Sequence, residues 1–235
     1  MISQTKFPLL CGALALALAA PAFVFSGCAQ AQNAPQTAPQ AQAPKAPWNA
    51  VISPDNSLNF NFYKDGAQSL NLGMGGWGPN WGWRGFGANQ RAQNGELNAT
   101  SVFEGNKDAG EIVNIALKVR QTAPNAISYQ YTLSADKDVP LTMLILNIGA
   151  NKDQGGDAVV TQTGGATQTL LIWFPIRDSI ENAEQITIRP KDAGETIIKI
   201  EPPTTLGFDN GVRVLLARDK FPAGTKTVTV TFTFP

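Results

Sequence analysis

The chain has 235 residues with 18 basic and 18 acidic side chains and no net charge, so it carries no broad positive field for nucleic acid or an anionic membrane surface. It contains no histidine, which excludes histidine-based nucleophilic triads, histidine zinc sites and the usual near-neutral proton shuttle, and leaves carboxylates for any acid–base chemistry. Its two cysteines, Cys11 and Cys28, lie near the N-terminus, so the remainder must fold on an apolar core without disulfides, which a domain of this length can supply.

Lys6 precedes an almost wholly apolar run, Phe7 to Phe25, the pattern of a signal peptide, expected over residues 1–27. The run ends in Phe25-Ser26-Gly27-Cys28, which resembles the lipobox of bacterial lipoproteins, although Phe25 stands where an aliphatic residue is usual. That resemblance makes Cys28 the lipidated residue and implies a membrane contact through the lipid; Ala29 behind it resembles lipoproteins sent on to the outer membrane. Cleavage after Ala29-Gln30-Ala31 is the alternative and would release a freely secreted protein. An uncleaved spanning helix fits less well, because Pro8 and Pro21 interrupt a barely sufficient run. Residues 28–47 are mostly Ala, Gln and Pro, a composition that buries little and reads as a surface tether.

From Trp48 to Pro235 the apolar period is two, which indicates strands. Leu58, Phe60 and Phe62 alternate with asparagines; Val113 to Val119 and Ile127 to Leu133 repeat the alternation. The Asp136-Lys137-Asp138 turn leads into Leu141 to Ile148, whose continuous apolar character predicts a central strand. Further strands are expected at 167–174, 185–189, 195–200, 212–217 and 225–234, the last with Val228, Val230, Phe232 and Phe234 on one face and threonines on the other. Ten to twelve strands without helices predict an all-β, two-sheet antiparallel sandwich, jelly-roll-like, formed by residues 48–235.

Gly73 to Gly87 holds three of the five tryptophans within seven positions, among many glycines, and is expected to be an irregular loop. Trp77, Trp81 and Trp83 on such a loop would offer flat apolar faces to sugar rings, with Asn80 and Arg84 bonding hydroxyls. The alternative is that these indoles pack against the end of the sandwich. Trp173, within the apolar run Leu170 to Phe174, is expected in the core. Asn151, Asp153 and Asp157 present oxygen ligands without an EF-hand spacing and read as a turn. Asp136 and Asp138 read as a solvated hairpin. No motif calls for a metal or a cofactor, and no residue is assigned a catalytic role.

The C-terminal stretch, Thr196-Ile-Ile-Lys-Ile-Glu-Pro-Pro-Thr-Thr-Leu-Gly-Phe-Asp-Asn, then Val212-Arg-Val-Leu-Leu-Ala-Arg and Phe221-Pro-Ala-Gly-Thr-Lys, resembles the end of an accessory β-sandwich domain placed before the catalytic barrel in secreted bacterial glycoside hydrolases. The segment Ser134-Ala-Asp-Lys-Asp-Val-Pro-Leu-Thr fits the same pattern. The resemblance implies a non-catalytic, carbohydrate-associated domain. Three functions follow for comparison: an envelope protein that binds polysaccharide, a scaffold with a protein partner in the envelope, and a carboxylate-based hydrolase needing two acids across a groove.

Overall fold

The computed structural model describes residues 48–52, 58–64, 67–93, 96–106, 108–191 and 194–235. The expected signal segment, Cys28 and the tether lie outside the described residues. Fifteen strands occur among those residues: β1 (Trp48–Ile52), β2 (Phe60–Lys64), β3 (Ala67–Trp77), β4 (Trp83–Arg84), β5 (Asn89–Gln93), β6 (Glu96–Asn106), β7 (Glu111–Ala123), β8 (Ala126–Ala135), β9 (Val139–Ala150), β10 (Gly156–Gln162), β11 (Thr167–Leu171), β12 (Arg177–Pro190), β13 (Thr196–Phe208), β14 (Val212–Phe221) and β15 (Gly224–Thr233). The number exceeds the ten to twelve expected because several strands carry glycine, alanine or serine at inward positions, where no apolar alternation marks them.

Every pairing is antiparallel, and hydrogen bonding runs through β1-β2-β3-β9-β14-β13-β15-β8-β7-β6-β5. This continuous sheet folds back on itself into two layers at β13. Ile197 to Glu201 pair with β15, whereas Leu206 to Phe208 pair with β14. Between these two registers stand Pro202 and Pro203, which lack the amide hydrogen a ladder needs. The neighbouring β12 follows the bend through three register shifts, and β10 and β11 extend the sheet beyond it.

The layers close on rings from both sides. Phe62 of β2 stacks on Phe232 of β15 at 4.7 Å, and Phe60 meets Tyr129 of β8 edge-on at 4.8 Å. β9 lies between β3 and β14 and sends Leu144, Leu146 and Ile148 into the core, as its continuous apolar character requires for a central strand. Tyr129 and Tyr131 are fully buried; burial pushes both phenols upward in pKa, so they stay neutral at any pH that preserves the fold.

The Asp136-Lys137-Asp138 turn is tied to the β14–β15 connection. Asp138 accepts from Lys220 Nζ at 2.6 Å and from the Ala223 amide at 2.9 Å. The Lys220 bond, then the Ala223 amide, hold its carboxyl below the ordinary value of 3.8. A depressed carboxyl pKa stabilises the fold fully above that ordinary value and ceases to do so as pH falls through the lower folded one. Asp138→Asn is therefore expected to melt earlier than the parent at neutral pH, and thermal melts in increasingly acid buffer should show the difference closing.

Two expectations are corrected. Gly73 to Gly87 is not one irregular loop: its first five residues complete β3, bonded to β9 from Leu70 to Trp77, and after a turn at residues 78–82 Trp83 and Arg84 pair back onto β3 as β4. The glycines there serve close approach rather than flexibility, since a Cβ on Gly76 would sit 2.7 Å from the Phe103 ring. Trp173 is not core but 41% exposed. Leu170, Ile172 and Phe174 are buried and Leu171 and Trp173 lie outside, because β11 ends at Leu171 and the next residues form a turn, closed by the Phe174 amide on the Leu171 carbonyl at 2.9 Å, that carries the indole out of the core.

Candidate functional site

The outer face of the layer containing β2, β3, β9 and β14 carries a groove. Along β3, Leu70, Leu72 and Met74 point into the core, so Asn71, Gly73, Gly75 and Trp77 face out. Register then aligns three rows across the strands. Gly73 lies beside Asn147 and Asn147 beside Arg213; Gly75 beside Ile145 and Ile145 beside Leu215; Trp77 beside Met143 and Met143 beside Arg218. The two glycines lower the floor, and the resulting hollow has a volume of about 470 Å³.

Asparagines line one end of it. Asn61 faces Asn71 across β2 and β3. The Asn71 Oδ1 accepts the Gly149 amide at 2.7 Å, and the Asn61 Oδ1 accepts from Gln68 at 3.2 Å, so among the described residues neither amide nitrogen is engaged by these bonds. Asn59 presses against Gly73, where a Cβ would come within 2.2 Å of its Oδ1. Asn147 makes no side-chain hydrogen bond among the described residues and opens on the same hollow.

Tryptophans form the other end. Trp77 folds back over its own strand, its ring 3.6 Å from where a Gly75 Cβ would be. The Arg213 guanidinium lies over that ring at 5.4 Å and is ion-paired with Asp209. Trp81 and Trp83 stand edge-on to Trp77, with ring centres 6.1 and 5.2 Å away. Trp77 is thus half-buried and packs, whereas Trp81 and Trp83 are 62% and 57% exposed.

A short turn presents Trp81. Pro79–Trp81 forms one 3-10 turn closed by the Gly78 amide on the Gly82 carbonyl at 2.7 Å. Thr142 of β9 pins it, donating to the Gly78 carbonyl at 2.9 Å and accepting the Trp81 amide at 3.3 Å. Asn80 and Trp81 both have positive φ, 60° and 61°. Asparagine tolerates this, but for tryptophan it is a strained conformation. The strain places an indole in solvent, which packing alone would not require.

Of the five residues expected at the site, Trp81, Trp83 and Asn80 are exposed together on this turn and strand, with Trp77 beneath them. Arg84 instead holds the turn in place. Its Nε donates to the Glu104 carbonyl at 3.0 Å and its Nη1 to the Trp83 carbonyl, and its guanidinium packs against Gly78. Asn151 likewise caps the Lys152–Gln154 turn by accepting the Asp153 amide at 3.0 Å, while Asp157 sits in β10. Among the described residues no group of three acidic or cysteine side chains converges as a metal site.

The groove residues Asn59, Asn61, Asn71, Asn147, Asp209 and Arg213 carry no signal of a site in the sequence. Asn59 and Asn61 read there only as the solvated face of a strand, and nothing in one strand shows which neighbour it will meet.

No protein-family model matches the chain, and no curated protein aligns with it. Solved structures of similar fold include an α-N-acetylgalactosaminidase from Bifidobacterium bifidum, in complex with GalNAc, at 10% identity and a TM-score of 0.50, over 83% of this chain and 36% of that one. A proposed aldose 1-epimerase from Escherichia coli K12 aligns at 8% identity and a TM-score of 0.47, over 74% and 91%. A β-arabinopyranosidase aligns at 8% identity and a TM-score of 0.46, over 80% and 38%. The chain spans little more than a third of either glycosidase. The likeness to the Bifidobacterium enzyme is one of fold, an all-β sandwich.

Proposed function

We propose that this protein is a non-catalytic carbohydrate-binding module that holds its ligand along the asparagine- and tryptophan-lined groove. One observation carries the reading: the exposed indole of Trp83 lines a hollow of amides together with Trp77, and the exposed indole of Trp81 stands edge-on to that Trp77 ring. Amides both donate to and accept from hydroxyls, and exposed rings take the apolar face of a sugar. The similar fold of a galactosaminidase fits this reading without carrying it, since one fold hosts many functions. The reading is non-catalytic because, among the described residues, the only carboxylate lining the hollow, Asp209, is committed to Arg213, whereas glycoside hydrolysis needs two acids across a cleft. It retains the export and the lipid on Cys28 expected from the sequence; metabolic labelling with a fatty acid, lost in Cys28→Ser, tests that part.

The binding test is a screen of soluble oligosaccharides followed by intrinsic tryptophan fluorescence. A saturable spectral change with one glycan class is expected. The double variant Trp81→Ala, Trp83→Ala should weaken it at least about fivefold, as loss of two ring contacts of roughly 0.5–1.5 kcal/mol each implies. A folded protein that answers no glycan would instead favour a protein-binding scaffold. That second reading has its own observation, the apolar side chains Leu171, Trp173 and Ile176, of which Ile176 is 76% exposed.

A further inference from the structure

We infer that the groove has a second subsite, built for an acidic sugar, next to the first. This rests on the carbohydrate reading above and specifies its ligand as an oligosaccharide bearing a carboxylate. Beyond Arg213, which lines both hollows, lies a second one of about 380 Å³. Trp81 and Met143 bound it on the side of the first hollow, and β12 and β13 supply its far side through Arg177, Asp178, Thr205 and Gly207. The exposed indole of Trp81 therefore belongs to the second hollow and reaches the first through its edge-on contact with Trp77.

The charges of the second hollow distinguish it from the first. Three arginines line it, Arg177, Arg213 and Arg218, against one acidic residue, Asp178. Arg213 is neutralised by Asp209, and the nearby Glu181 carboxylate accepts the Thr205 hydroxyl at 2.5 Å. Arg177 has a neutral partner, Gln168, at 2.9 Å, with the Phe208 ring beneath its guanidinium, and Arg218 makes no ion pair among the described residues. Two guanidiniums are thus left without a carboxylate.

A register shift explains how Arg218 comes to be there. Strict alternation from Arg213 and Leu215 would put position 217 outward, but an irregularity between Leu215 and Ala217 buries Ala217 and turns Arg218 out onto the same face, beside Met143. Guanidinium groups bind planar carboxylates through paired hydrogen bonds. Asp178 complements them as an acceptor for sugar hydroxyls. The ligand class is therefore a chain containing a uronic acid, one residue over the asparagine end and the acidic residue against Arg177 and Arg218.

Matched pairs of trisaccharides test this on the full chain by calorimetry: β-1,4-glucose with β-1,4-glucuronate, and α-1,4-galactose with α-1,4-galacturonate. At least one uronate should bind about tenfold or more tightly than its neutral counterpart, as charge-assisted bonds imply, and added salt should narrow that ratio. Arg218→Gln should lower the ratio severalfold; its melting temperature, unchanged at so exposed a position, shows that the fold is intact. Neutral trisaccharides binding as well as the uronates would overturn the acidic subsite and leave the carbohydrate reading standing. Binding by no member of either pair, with a neutral glycan found in the wider screen, would likewise overturn the subsite alone. Silence from every glycan would remove both.

Discussion

Gly76→Val is expected to destabilise the protein by about 2–3 kcal/mol, and Gly76→Ala by about 1–2, as overpacking of a closed core does. Gly76 belongs to β3 and faces inward. A Cβ there would lie 2.7 Å from the Phe103 ring and 3.0 Å from that of Phe86, and these two rings stack on each other at 6.3 Å. Phe103 is completely buried, so it has nowhere to retreat, and the added carbon must push the two layers apart. Gly85 and Gly87 belong to the same glycine-rich stretch, yet nothing lies within 4 Å of a Cβ on either. Alanine at those positions should change stability by less than about 1 kcal/mol in either direction. Urea titration of the three alanine variants decides the matter. Equal effects at all three positions would mean that the segment is a loop and that β3 does not pass beneath β6.

At position 81 the expected order of stability is reversed from that of an ordinary exposed site. Trp81→Gly should be more stable than Trp81→Ala by about 1 kcal/mol, because φ is positive there and alanine bears the cost of the left-handed region whereas glycine does not. Both variants lose the same indole, so the difference isolates the backbone. On the proposed carbohydrate reading both should lose glycan affinity alike, at least several-fold, since that reading assigns the contact to the ring rather than the backbone. Denaturation and binding measured on the pair therefore separate two roles of one residue. An alanine variant as stable as the glycine variant would show that the turn relaxes freely and that Trp81 is not held in place by Thr142. Retained affinity in both would show that the 62% exposed ring contributes nothing to binding.

Much of the β architecture is readable in the sequence because one buried face imposes an alternation. In β15, Val228, Val230 and Phe232 are buried while the intervening threonines are not, as the pattern alone indicates. The pattern fails where the inward residue is small. In β6 the inward positions run Leu97, Ala99, Ser101, Phe103 and Gly105, and the small residues among them break the apolar alternation that would mark a strand. In β3 glycine stands at positions 73, 75 and 76, and in sequence such density reads as irregular backbone. Two different demands produce it: Gly76 accommodates a ring from the opposite layer, while Gly73 and Gly75 make room for Asn59 and Ile145 on the outer face. Glycine reports a lack of space as often as a need for flexibility, and a single strand does not say which.

The tryptophans show the same limit at the site. Their clustering marks a segment that borders the groove, but packing and presentation are both consistent with it. The structure divides them, with Trp77 packed beneath Arg213 and Trp81 and Trp83 in solvent. Trp173 goes the other way, from expected core to surface, because a uniformly apolar run gives no hint that the strand ends at Leu171 and turns there.

By itself the sequence determined the fold class, the central position of β9, the place of the aromatic segment and the chemistry the protein lacks, because residue type and a period of two are local properties. The groove, its row of asparagines and the arginines of its second hollow were decided only in three dimensions. Asn61 meets Asn71, Asn147 meets Arg213 and Met143 meets Arg218 through strand register, and register between strands as distant in sequence as β3, β9 and β14 is set by how the whole sandwich closes over its core.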